Sequence, residues 1–248
     1  MKAKASDQLF IFNAFLRKPT TMNKKALPKV LPNNPMHIAK AWFDEACENR
    51  LQPNPNAMTL ATINKNSSPS ARIVLCKSFV PDPGYILLFT NYESDKGQEI
   101  KNNANSSVVF HWDHTGQQIR IKGISILSST EESDAYFASR NIGSQLSAWG
   151  SNQSQPISSR EALIEQMQKK AHEYGIDIKK GDIDGDQKTT SPISRPPHWG
   201  GIRIWASDIE LWIHGEDRIH DRALWKRKLT PEDNSFSPSE WIGTRLQP

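Results

Sequence analysis

The feature that most constrains this chain is a run of short strand-like segments that follows its first fifty-odd residues. AMTLATI starts at Ala57, and SARIVLCKSF, YILLFTN, SSVVFHW and QQIRIKGISIL follow, the last ending at Leu127. Turn-forming stretches, NKNSSP and PDPG, separate several of them. Closely spaced strands of this kind predict an antiparallel barrel or sandwich. Three later segments, GGIRIWAS, DIELWIHG and DRIHDRALWKR, extend the same pattern.

Helical periodicity appears between and before the strands. PNNPMHIAKAWFDEACENR carries Ile38, Trp42, Ala46 and Phe43 as an apolar stripe at helical spacing. ESDKGQEIKNN predicts a short helix, and STEESDAYFASR predicts another, capped by Ser129 or Thr130 with acidic residues in its first turn. ISSREALIEQMQKKAHEYG predicts a longer one that stops at Gly175. Residues 176–198 and 229–239 read as polar loops. The expected fold is mainly β with α: one antiparallel β-barrel domain over residues 36–248, with helices packed outside it.

Of 248 residues, 36% are apolar, with 8 Trp and 9 Phe, enough for a core. The two cysteines, Cys47 and Cys76, are too few for a disulfide scaffold, which fits a reducing, cytoplasmic setting. Cys76, inside a strand, reads as a small packed residue. No apolar run approaches the roughly 20 residues of a membrane helix, and LFIFNAFL lacks the marks of a secretory signal.

The net charge of +4 is unevenly placed. Residues 1–35 hold Lys2, Lys4, Arg17, Lys18, Lys24, Lys25 and Lys29 against Asp7 alone, a balance of +6 that leaves about −2 for the rest. The basicity therefore belongs to an N-terminal arm, read as flexible, and a nucleic-acid partner is not expected. Asp182, Asp184 and Asp186 stand two apart, but Gln187 replaces the required Gly and no Glu stands at the twelfth position, so a calcium loop is not expected. The chain has no G-x-G-x-x-G, Walker, G-x-S-x-G or H-E-x-x-H motif, and its histidines show no metal-ligand spacing.

Donor-rich clusters beside aromatics remain. GEDRIHDRALW places Arg218, His220 and Arg222 two apart, on one face if the stretch is a strand, between Trp212 and Trp225. ARIVLCK carries Arg72 and Lys77, five apart, which a regular strand would send to opposite faces unless a bulge intervenes. SDKG puts Ser94 and Lys96 at a helix start, where free N–H groups favour an anion. YFASRNIGSQ spaces Tyr136, Arg140 and Ser144 by four, with Gly143 expected to break the helix, and NQS adds Gln153 and Ser154. Many donors and few carboxylates suit a phosphate-bearing ligand.

Taken in order, AMTLATI, RIVLCK, FTN, SDKGQEIKNN, QQIRIKG, YFASR, SQLSAW, NQS, RPPHWGG, ELW, RIHDR and RLQP resemble the pyridoxamine/pyridoxine 5′-phosphate oxidases from about Asn54 to Pro248. The resemblance implies a split β-barrel homodimer with FMN in clefts shared by the two subunits. It implies that Arg72, Ile73, Val74, Lys77, Phe89, Thr90, Lys96, Gln118, Gln153, Ser154, Trp212 and Arg222 contact the flavin. Lys77, Tyr136, Arg140 and Ser144 would hold the substrate, chiefly its phosphate, with Arg218 and His220 over its ring as the catalytic pair. The implied reaction turns pyridoxamine or pyridoxine 5′-phosphate into pyridoxal 5′-phosphate, with O2 as electron acceptor and H2O2 as product.

Three positions depart from the family pattern: Asp95 where a second basic residue is usual, Asn54 where an acidic one is common, and no R-x-Y pair in residues 1–35. The alternatives are a related FMN oxidase of the phenazine-biosynthesis type and a non-catalytic binder of flavin or pyridoxal phosphate. The set Tyr136, Arg140 and Ser144 discriminates between substrates, because a phosphate-free ring has no need of it.

Overall fold

The computed structural model describes residues 26–176 and 192–248. The acidic triplet of the 176–198 stretch and most of the basic arm lie outside them. The chain runs through α1 (Met36–Asn49), β1 (Ala57–Ile63), β2 (Pro69–Leu75), β3 (Ser78–Val80), β4 (Tyr85–Asn91), α2 (Asp95–Asn102), β5 (Asn105–Trp112) and β6 (Gln117–Leu127). It continues through α3 (Thr130–Ala138), α4 (Ile142–Gly150), α5 (Arg160–Glu173), β7 (Trp199–Ile213), β8 (Asp221–Lys226), β9 (Leu229–Glu232), β10 (Ser235–Pro238) and β11 (Ile242–Leu246).

All pairings are antiparallel, in the order β11-β8-β7-β6-β5-β1-β2, with β4 joined to β7 and β3 to β4. The sheet is a split barrel because β7 serves two partners on one edge. Its first half, Trp199 to Trp205, pairs with β4, and its second half, Asp208 to Ile213, pairs with β8. What reads in sequence as two strands, GGIRIWAS and DIELWIHG, is this one long strand. It is interrupted by a bulge at Ser207, where the register with β6 shifts between Lys122 and Gly123. Gly123 is required there: a Cβ would stand 2.0 Å from the Trp205 carbonyl oxygen.

Alternation drives the core. β5 turns Val108, Phe110 and Trp112 inward, and β6 turns Ile119 and Ile121 the same way. α1 covers this core with Met36, Ala39, Phe43 and Ala46 rather than with the expected Ile38 and Trp42, which only flank it. Phe43 sits 5.7 Å from the Phe79 ring and 5.8 Å, edge-on, from Phe110; burying such a ring contributes roughly 1.5–3 kcal/mol. A second apolar cluster, Phe137, Leu146, Ala171 and Trp199, lies under α3, α4 and α5.

Several expectations change. SARIVLCKSF is two strands, with Cys76 and Lys77 between them, so no bulge separates Arg72 from Lys77. The helix break near Gly143 falls instead at 139–141, where Asn141 caps α4 and accepts from Ser144 N–H. The polar stretch 229–239 holds the β9–β10 hairpin. The body also begins before residue 36. Leu27 N–H donates to Asp221 at 2.7 Å, and Trp225 donates to the Pro32 carbonyl at 2.9 Å. Ser129, one of the two expected caps, accepts from Glu132 N–H, and Ser94, at the expected start of α2, accepts from Gly97 N–H.

Candidate functional site

Two groups of expected ligands form, at different ends of the sheet. The first gathers at the N-terminus of α2. Gly97 lets that helix lie close to β4, since a Cβ there would stand 2.2 Å from the Tyr92 carbonyl oxygen. Lys96 Nζ donates to Gln153 Oε1 at 2.8 Å and to Ser94 Oγ at 3.0 Å. Thr90 Oγ1 also reaches Gln153 Oε1, at 3.3 Å, and Ser154 Oγ accepts from the Asp95 N–H at 3.3 Å. Ser154 holds a left-handed φ of 73° on the exposed side of this cluster.

Arg72 enters the same cluster from β2. It donates Nη2 to Ser70 at 2.6 Å and to Glu99 Oε2 at 2.7 Å, and Nη1 to Thr62. Thr62 and Ser70 face each other across the β1–β2 ladder, so the guanidinium lies over the polar rim of the barrel core. Burial, aided by the Arg72 charge, pulls the Lys96 ammonium below the usual lysine range. An ammonium and a guanidinium beside a helix N-terminus fit a phosphate, whose charge would offset the repulsion between them. Asp95 is exposed, and its carboxylate partly offsets the charge on Lys96.

Beside this cluster stands an aromatic stack. Phe89 lies 3.8 Å from Tyr136 at 13° and 5.5 Å from Trp199 at 12°. The Arg140 guanidinium sits 4.5 Å over the Trp199 ring, and Lys77 Nζ sits 5.9 Å over Tyr136. Arg140 Nη1 is buried and has no hydrogen-bond partner among the described residues. Burial pulls its pKa down. An unpaired buried cationic donor is costly and is stabilised by an incoming anion. Gln145 holds the turn that carries it, donating to the Phe137, Ala138 and Arg140 carbonyls. Ser144 is half-buried in the first turn of α4. Ile73 and Val74 diverge: Ile73 is exposed, whereas Val74 packs on the core.

The second group lies across β6, β7 and β8. Gln118 pairs with Trp212, and Trp212 with Arg222, so the three form one row on the outward face of the sheet. Arg218 and His220 do not continue that row on a strand. Ile213 pairs with Asp221, and 214–220 form the connecting loop, with Asp217 and Arg218 at positive φ of 52° and 64°. The period-two spacing of Arg218, His220 and Arg222 thus comes from a turn followed by a strand. His220 still reaches the row: its ring lies 4.7 Å from Trp212. Its Nδ1 accepts from the Gly215 N–H at 3.2 Å, which places the proton of the neutral ring on Nε2. Arg218 is exposed.

Sequence reasoning missed the carboxylates that hold both arginines. Glu99 accepts from Arg72, and Glu210 accepts from Arg222 and Arg120. The only local signal was the position of Glu210, two residues before Trp212 and therefore on the same strand face. A cavity of about 690 Å3 between α2 and the β9–β10 turn, lined by Tyr92, Lys101, Leu127 and His198, contains none of the expected ligands. Among the described residues no helix is long and apolar enough to cross a membrane.

Comparison with known proteins gives the context. Residues 43–171 match the family described as pyridoxamine 5′-phosphate oxidase, and residues 199–248 match the pyridoxine 5′-phosphate oxidase C-terminal dimerisation region. The chain is 42% identical over 218 residues to the pyridoxine/pyridoxamine 5′-phosphate oxidase of Paraburkholderia phytofirmans, covering 88% of this chain and 91% of that one. It is 39% identical over 220 residues to that of Roseobacter denitrificans, covering 89% and 97%. Among solved structures it resembles PhzG from Burkholderia lata 383, in complex with tetrahydrophenazine-1-carboxylic acid, with a TM-score of 0.71 at 24% identity over 90% of this chain and 100% of that one. It also resembles a pyridoxamine 5′-phosphate oxidase-related, FMN binding protein from Nostoc punctiforme, with a TM-score of 0.60 at 17% identity over 86% and 97%. The two structural likenesses establish the fold.

Proposed function

The chain belongs to the pyridoxamine 5′-phosphate oxidase family, an FMN-dependent oxidoreductase family, and from that premise we propose that it oxidises pyridoxine and pyridoxamine 5′-phosphate to pyridoxal 5′-phosphate. FMN is its cofactor. The residues present suit that group: Arg72, Lys96, Gln153 and Ser154 would hold its phosphate, and Gln118, Trp212 and Arg222 would meet its ring system. FMN, when bound, accepts the hydride.

The observation that carries the substrate assignment is Arg140, whose guanidinium is laid on Trp199 with one nitrogen buried and unpaired. With Lys77 and Tyr136 alongside, it is suited to a phosphate ester and wasted on a phosphate-free ring. In this reading Arg140, Lys77 and Ser144 bind the phosphate, and the Phe89–Tyr136–Trp199 stack borders that pocket. Arg218 and His220 cover the reacting carbon. With Nδ1 accepting from Gly215, His220 presents an Nε2–H donor, suited to orienting the substrate oxygen or nitrogen. For pyridoxine 5′-phosphate two electrons and two protons pass to O2, giving H2O2. For the amine, water then releases ammonia.

Arg72 stands on β2, a terminal strand of the sheet path, and Thr90 on β4 pairs with Gly200 in the first half of β7, whereas the Gln118–Trp212–Arg222 row crosses the far half of β7. The dimerisation region covers β7, β8 and β11. A homodimer in which one protomer supplies the first group and its partner the second completes the site. This reading is tested by adding pyridoxamine 5′-phosphate to the purified yellow protein without oxygen. The flavin absorbance should bleach and return in air. Bleaching by a phosphate-free ring compound alone would favour a phenazine-type oxidase, and bound flavin that no substrate bleaches would favour a binding protein.

A further inference from the structure

Glu210 is a charged residue in the second half of β7 that is only 6% exposed, although it points to the outward face of the sheet. Its two oxygens are divided between two arginines. Oε1 accepts from Arg222 Nε at 2.9 Å and Nη2 at 2.8 Å, and Oε2 accepts from Arg120 Nη1 at 2.8 Å. The strand register dictates this arrangement: Arg120 stands directly across β6 from Glu210, and Arg222 lies one row along on β8, opposite Trp212. A third bond, Arg222 Nη1 to the Gln247 carbonyl at 3.0 Å, ties the guanidinium to the C-terminal residues.

A guanidinium has five N–H donors in one rigid plane. Three are taken by Glu210 and Gln247, so the plane of Arg222 is fixed and its remaining donors have a set direction. A single buried acceptor that takes both Nε and Nη2 leaves an arginine no rotational freedom about its terminal bonds. Without the carboxylate, Arg222 would stand beside Arg120 with no charge between them.

We propose that Glu210 is a positioning residue for the flavin: it orients Arg222 toward FMN through the fork on Oε1, and Arg120 holds the carboxylate from the other side. This rests on the placement of Arg222 at the flavin. Glu210 itself touches neither cofactor nor substrate.

The test uses flavin release from the purified holoprotein on dilution, read by the rise in free-flavin fluorescence, together with the reduction potential of the bound flavin. Glu210→Asp keeps the charge but withdraws the carboxylate by one methylene. It is expected to weaken FMN binding about tenfold, as Glu210→Gln does, and both should shift the potential. In an Arg222→Gln background the same changes should have no further effect on either readout. Normal FMN release from Glu210→Asp, or an undiminished effect in the Arg222→Gln background, overturns the proposal. If Arg222→Gln alone leaves FMN binding unchanged, the placement of Arg222 at the flavin fails and this inference fails with it. If Arg222→Gln weakens binding and the Glu210 variants do not, only the inference fails.

Discussion

Arg72 Nη2 meets Glu99 Oε2 at 2.7 Å, joining strand β2 to helix α2 over the rim of the barrel. Both side chains are largely buried, at 20% and 11% exposure. Burial alone would raise the Glu99 pKa, but the hydrogen bonds from Thr62 and Arg72 and the Arg72 charge outweigh it, and the carboxyl titrates below its ordinary range. Such a pair stabilises fully above the unfolded carboxylate pKa, and the stabilisation is lost as pH falls through the lower folded value. Arg72→Met removes the charge and its hydrogen bond and leaves burial opposed mainly by the Thr62 hydroxyl. It should cost about 3 kcal/mol near neutral pH and move the acid loss of stability to higher pH. Urea midpoints from about pH 3 to about pH 7 would show this; an unchanged acid limb would remove the pair from the stability of the fold.

Lys96 should gain a proton when FMN binds. Its folded pKa is lowered first by burial and then by Arg72, so without an anion the lysine loses its proton more readily at alkaline pH than an ordinary lysine. A bound phosphate favours the charged form and raises the pKa. FMN binding, followed by calorimetry in alkaline buffers of different ionisation enthalpy, should therefore take up protons, while riboflavin, which has no phosphate, should not. Equal uptake for the two flavins would place Lys96 away from the phosphate.

Arg140→Ala separates binding of the phosphate from chemistry. It should raise KM for pyridoxine 5′-phosphate by about 100-fold, the loss of a charge-assisted contact and its burial, with a smaller change in kcat. Oxidation of unphosphorylated pyridoxine should scarcely change. A parallel loss for both substrates would show that Arg140 supports the pocket wall instead.

His220→Ala should slow anaerobic flavin reduction by about 100-fold and leave FMN affinity within about twofold. In the unliganded protein, nitrogen-15 NMR of the neutral ring should show the His220 proton on Nε2, as the Gly215 contact requires. A proton on Nδ1 would refute the donor role.

Gly123→Ala tests the bulge that lets β7 serve two partners. The added methyl has backbone, not a flexible side chain, 2.0 Å away, so the variant should lose about 3 kcal/mol and melt several degrees lower. A parent-like melting temperature would mean that the bulge can shift register freely.

What the sequence determined by itself was local. Period-two alternation marked the strands, because successive side chains must face opposite sides of a sheet. Ser94 and Ser129 marked helix starts, because a side-chain oxygen there satisfies a free backbone N–H. The donor-rich residue types were legible in the same way, each within its own short segment. Tertiary structure decided what adjacency in sequence cannot carry. The same spacing of two in RIHDR fits a strand or a turn, and only the pairing of Ile213 with Asp221 consigns Arg218 and His220 to the loop. Which carboxylate neutralises which arginine was also settled only in three dimensions. Glu99 reaches Arg72 from 27 positions away and Glu210 reaches Arg222 from 12, through strand register and helix docking that depend on the whole barrel being formed.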